Sequence, residues 1–193
     1  SGFTSNITIT GNAGADIYVF SSYTGTATVA TGTGAHGITL GTGTEKITGG
    51  SDVETVQVAA TAHLASTDVL TLAAGTDVIN FSAAATVTDA QFTNVTTFET
   101  ISSGNVAMTI TIGAEVKEAG ISIITLGNAT NSLNASAYLA TALTITGGTG
   151  ADTIQGGTGA DIIVGGAGAD VYVFASTGAL NGVDVFAANV VVA

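Results

Sequence analysis

Cysteine, proline and tryptophan are absent from this 193-residue chain, and only two of its residues are Lys or Arg. Without cysteine there is no disulfide to brace the fold and no thiolate for zinc or nucleophilic chemistry. Without proline nothing interrupts backbone pairing, while 27 glycines supply the conformations that tight turns demand. The two basic residues stand against 14 Asp+Glu, a formal charge of -12. That charge repels nucleic-acid phosphates and anionic membrane surfaces, and it attracts cations. No apolar run approaches the roughly 18 residues of a membrane-spanning segment, so no transmembrane segment is expected. The opening stretch SGFTSNITIT lacks the basic region of a signal peptide and starts inside a strand-like pattern, as a fragment of a longer chain would. No enzyme is expected either. There is no G-x-S-x-G elbow and no G-K-[ST] after the glycine-rich stretches, and His36 and His63 stand far apart without an ordered acidic partner.

What is present is a sheet composition. Apolar residues make up 46% and charged residues 8%, unlike a disordered acidic tail, and Ala, Val, Ile and Thr dominate. Gly147 to Val173 reads GGTGADTIQ, GGTGADIIV, GGAGADVYV: three contiguous nonapeptides of the form G-G-x-G-x-D-x-U-x, with U (a large apolar residue) being Ile154, Ile163 and Tyr172. Degraded copies occur at 11–19 (GNAGADIYV), at 31–57 (TGTGAHGIT, LGTGTEKIT, GGSDVETVQ) and at 72–80 (LAAGTDVIN). The chain therefore divides into degenerate coils over 1–57, an irregular Thr/Ala-rich middle over 58–146, a regular tract over 147–174 and a tail or cap over 175–193. Strand-like alternation in DVLTLA, AMTITI and ISIITL makes the middle a set of wider coils. Brief helical turns are expected at VTDAQFTNV, with Thr88 as cap and Ala90, Phe92 and Val95 inward, and at GAEVKEAG.

In each nonapeptide the first six residues form a turn and the last three a strand, so two nonapeptides make an 18-residue coil of an all-β parallel solenoid. Aspartates 18 residues apart then stack at roughly the 4.8 Å of neighbouring strands. Carboxylates that close repel unless a cation sits between them, and turn carbonyls complete an oxygen cage that suits Ca2+ better than Mg2+.

These repeats resemble the RTX calcium-binding repeats of exported bacterial proteins. The resemblance implies a right-handed parallel β-roll with an ion between repeats n and n+2. Carried over, a complete site uses Gly148, Gly150 and Asp152 with Gly165, Ala167 and Asp170. Asp161, with Gly157 and Gly159, faces the other edge, where Leu143 and Ala179 occupy the stacked positions and leave that site half-equipped. Asp16 is a further metal candidate, but His36 follows at an offset of 20, so a bulge is expected there. Glu45 and Glu54 read as solvated turn residues, and Tyr18, Phe20, Tyr172 and Phe174 as core plugs.

The Thr/Ala-rich remainder is similar to RTX-type surface-layer and adhesin-like proteins. The resemblance implies a secreted, cell-surface structural protein that self-associates into a sheet, layer or filament, with polysaccharide or cell-surface contact, and whose folding is coupled to Ca2+. The alternative is an accessory module of a larger secreted enzyme or adhesin.

Overall fold

The computed structural model describes residues 4–174 together with 185–187 and 190–192. Every paired strand runs parallel to its neighbour, and the chain winds into a β-solenoid of about eight turns. A nine-stranded sheet runs along the solenoid. It comprises Ile17–Val19, His36–Thr39, Glu54–Val58, Val78–Phe81, Thr100–Ser102, Ile123–Thr125, Thr144–Thr146, Ile162–Val164 and Val185–Ala187. The intervening strands form two further sheets. Five strands from Ile7–Thr10 to Val95–Thr96 serve the N-terminal coils, and six from Ala85–Val87 to Val190–Val192 serve the C-terminal ones.

Alternation dictates what lies between the sheets. Ile38, Val56, Ile79, Ile101, Ile124, Ile145 and Ile163 are successive partners along the nine-stranded sheet, and all are buried. Ile110, Leu133, Ile154 and Tyr172 form the matching column on the six-stranded sheet. The large apolar position of every nonapeptide thus lies in the core, each side chain contributing about 1.5–3 kcal/mol by leaving water. Tyr18 and Phe20 are buried, and Phe174 packs partly buried against the same core.

Coil length varies. In the nonapeptide tracts His36 pairs with Glu54 and Thr144 with Ile162, a repeat of 18 residues. In the middle, Leu70 pairs with Val95, 25 residues on. The surplus is spent at the coil edges in two 3-10 turns, Thr61–His63 and Asp89–Phe92, and one short α-helix, Ala114–Glu118. Both expected helical turns are present. Thr88 precedes the second 3-10 turn and its N–H donates to Gln91 Oε1 at 2.9 Å. Phe92 and Val95 are buried but Ala90 is exposed, contrary to expectation. The 3-10 turn ends at Phe92 and Val95 opens the following strand, while three residues per turn put Ala90 on a different side from Phe92. Asp89, in the coil before the α-helix, accepts hydrogen bonds from the N–H groups of Gly113, Glu115 and Val116, capping that helix from outside its own segment. No helix among the described residues is long and apolar enough to cross a membrane.

Candidate calcium site

The regular tract brings its turns so close that only glycine fits at the contact. Gly166 and Gly168 have φ of 94° and 126°, the left-handed region that side chains avoid. A Cβ on Gly166 would overlap the Gly148 carbonyl oxygen, and one on Gly168 the Gly150 carbonyl oxygen. The carbonyls of Gly148 and Gly150 are therefore aimed at the next coil. The Gly165 carbonyl points the opposite way, against Gly147. Ala167 belongs to the same upper turn, and its N–H donates to the Gly148 carbonyl at 2.8 Å.

Asp152, Asp161 and Asp170 are all at most 1% exposed. Each reaches back to the coil before it. Asp170 Oδ1 accepts the Asp152 N–H at 3.0 Å, and Asp152 Oδ1 accepts both the Asn131 N–H at 2.8 Å and the Asn131 side-chain amide at 3.0 Å. The stacked carboxylates consequently point the same way along the solenoid rather than face each other, because an N–H dipole is a better neighbour than a second anion. Oδ2 of Asp152 and of Asp170 has no hydrogen-bond partner. Burial pushes the Asp152 carboxyl above its ordinary value, the Asp170 charge adds to this, and the Asn131 hydrogen bonds oppose it.

Between the 147–152 and 165–170 turns, then, lie three turn carbonyls and the Asp170 carboxylate, with unpartnered carboxylate oxygens on both aspartates. All are oxygens, the donor set of a hard cation. No cluster of three or more His, Asp or Glu side chains converges among the described residues, so a cation here depends on the turn carbonyls. Residues 144–172 match the family model of the RTX calcium-binding nonapeptide repeat (4 copies). This tract is built of RTX repeats. Comparison with the curated proteins and with solved structures found no match.

Asp161 lies on the opposite edge of the RTX tract, as its spacing requires. Its Oδ1 accepts the Leu143 N–H at 2.9 Å and its Oδ2 the Gly157 N–H at 2.8 Å. Gly157 and Gly159 sit over the Tyr138 and Thr141 carbonyls. Leu143 brings no carboxylate, and Ala179 lies outside the described residues, as does the tail beyond 174 save two short strands.

Outside the RTX tract the structure corrects two expectations. Glu45 and Glu54 are not solvated: both are 0% exposed. Their strands, Thr44–Thr48 and Glu54–Val58, carry the sixth repeat position on the inward face, buried as it is for Asp152, Asp161 and Asp170. Nor does Asp16 need a bulge. The whole first coil is 20 residues long, so Ile17 pairs with Gly37, and the Asp16 N–H donates to His36 Nδ1 at 3.1 Å. Asp16 itself is exposed, unlike the RTX aspartates. His36 is buried, its ring 5.9 Å from that of Tyr18, whose hydroxyl is held above its ordinary value by burial and the neighbouring Asp16.

Three residues not expected at the sixth position stand there too: Asp68, Glu99 and Asn131. Asp68 Oδ1 accepts the Glu45 N–H, Glu99 Oε2 the Asp77 N–H and Asn131 Oδ1 the Met108 N–H. Each is a polar residue just before or at the start of a strand, 22 or 23 residues after the residue whose N–H it takes. An 18-residue frame passes over that spacing. Glu45 has no partner for either carboxylate oxygen, and its carboxyl is pushed up to about 7 by burial and by the Asp68 charge. Asp77 rises to about 6, through burial first and then the Glu54 charge.

Proposed function

We propose that the chain is a calcium-stabilised structural solenoid that works outside the cell as part of a surface layer, filament or matrix, and that calcium governs both its folding and its self-association. The observation that carries this reading is the pair of buried, incompletely partnered carboxylates, Asp152 and Asp170, beside the RTX-turn carbonyls aimed at the neighbouring coil. Leaving water costs an ionised carboxylate several kcal/mol unless a counter-charge or hydrogen bonds meet it, so the coil closes readily only when a cation joins it. Bound Ca2+ would supply that counter-charge; by the pattern of the RTX repeats Gly148, Gly150, Asp152, Gly165, Ala167 and Asp170 would hold it, Asp152 turning from Asn131 toward the gap. Low calcium inside a cell and high calcium outside defer folding until export, in keeping with the secretion typical of RTX proteins. A net charge of -12 keeps the calcium-free chain apart from its copies. Outward columns such as Thr10, Thr48, Thr71 and Thr96 offer flat β surfaces for association once the charge is reduced.

A calcium titration followed by circular dichroism and light scattering together, with magnesium as control, tests the reading. Calcium-specific gain of β signal with growing scatter is expected. A β signal complete in chelator and unmoved by calcium overturns it, and calcium-dependent folding without scatter removes the self-association.

A further inference from the structure

We propose a second calcium position outside the RTX tract, in the gap between the 49–54 turn and the 72–77 turn, with Glu54 and Asp77 as its carboxylates. Both side chains are 0% exposed and lie in consecutive coils 23 residues apart, the Glu54 N–H donating to Asp77 Oδ1 at 2.7 Å. Each has one oxygen with no hydrogen-bond partner, Glu54 Oε2 and Asp77 Oδ2. These are buried, unpartnered and on neighbouring acids, which distinguishes the gap from a solvated acidic patch.

A backbone donor points the same way. The Asp52 carbonyl is aimed at Gly75, where a Cβ would overlap it. This is the relation the Gly150 carbonyl bears to Gly168 in the RTX tract. The other groups around the pair are accounted for. Glu54 Oε1 accepts the Gly50 N–H at 3.2 Å, with Thr31 Oγ1 at 3.4 Å. Glu99 above is occupied by the Asp77 N–H at 2.6 Å. Neither lysine neutralises the pair: Lys46 is exposed on another sheet, and Lys117 Nζ donates to the Leu139 carbonyl. Two buried anions with one free oxygen each, a converging carbonyl and no basic partner form an oxygen-only setting that favours Ca2+ over Mg2+. Glu54 and Asp77 lie outside residues 144–172, the segment that the repeat family describes.

The test uses the full chain. Backbone amide resonances are followed during calcium addition, and calcium stoichiometry is measured by equilibrium dialysis. The amides of Glu54 and Asp77 are expected to shift with calcium and not with magnesium. Glu54→Gln combined with Asp77→Asn is expected to lose bound calcium, while Asp152→Asn combined with Asp170→Asn retains binding at the Glu54–Asp77 gap. If those two amides stay unmoved at calcium levels that saturate the chain, or the Glu54→Gln, Asp77→Asn chain binds as much calcium as the parent, the proposal is wrong. Calcium-coupled folding moves amides throughout the chain, so the shifts are read above the folding transition; should the double variant misfold, bound calcium in the single Glu54→Gln chain against the parent decides. Failure of the RTX site shows separately, as unmoved amides at Asp152 and Asp170.

Discussion

Replacing Glu45 by Gln should make the solenoid more stable at alkaline pH and leave it unchanged in acid. Glu45 is fully buried, neither of its carboxylate oxygens has a partner, and the Asp68 carboxylate stands in the next coil. Its carboxyl titrates at about 7 in the folded chain against an ordinary 4.5. The folded state therefore binds more protons between those values, and stability falls as pH rises. The favourable contribution is complete below the unfolded value and gone once pH passes the folded one. The full window corresponds to about 3 kcal/mol as an upper figure, of which about 2 kcal/mol is lost between pH 5.5 and 8.5. Gln keeps the shape and has no proton to lose. Urea unfolding at both pH values, at one saturating calcium concentration, measures the difference. The parent should lose more stability than the variant by about that amount. A variant that declines as steeply as the parent, or is weaker at pH 8.5, would refute the assignment of Glu45 as a buried, unrelieved charge.

Asp152→Ala and Asp170→Ala should each raise the calcium needed for folding roughly tenfold or more, about 1.4 kcal/mol per tenfold, while Glu45→Ala shifts it far less; equal effects in titrations followed by circular dichroism would contradict the site. Gly166→Ala combines a φ of 94° with overlap of the Gly148 carbonyl oxygen, and should abolish ordering of the coil that carries it, read as lost amide protection over 165–173. Gly14→Ala has a φ of 124° but open space around its Cβ, so thermal melting should record only about 1–2 kcal/mol. Asp89→Ala strips the α-helix of the acceptor for three N–H groups and should cost about 1–2 kcal/mol, with faster amide exchange at Gly113, Glu115 and Val116.

The nonapeptides announce their structure because glycine spacing, aspartate and apolar residue repeat together, and each has one physical reason to be there. Ile154, Ile163 and Tyr172 point inward and the RTX aspartates stack as that spacing requires. The wider coils are harder to read. Once loops of variable length are inserted at the edges, strands recur after 20 to 25 residues, and no fixed frame aligns Asp68 with Glu45 or Asn131 with Asp152. Glu45 and Glu54 mislead as well. A glutamate in a turn is usually solvated, yet the sixth repeat position is buried here as it is for Asp152, Asp161 and Asp170. The direction of the aspartates was equally hidden, since it depends on which amide of the adjoining coil lacks a partner.

The sixth-position side chains of Asp68, Asp77, Glu99, Asn131, Asp152, Asp161 and Asp170 all accept from the coil that precedes them in the chain. This gives the solenoid a polarity of assembly. A coil laid down on the N-terminal side of an ordered one finds acceptors already in place for its buried N–H groups. A coil exposed at the C-terminal side keeps such groups unanswered until its successor arrives. Ordering that starts at the C-terminal end and advances toward the N-terminus thus meets these side-chain acceptors in advance, whereas the reverse course leaves the N–H groups they serve unanswered at every turn.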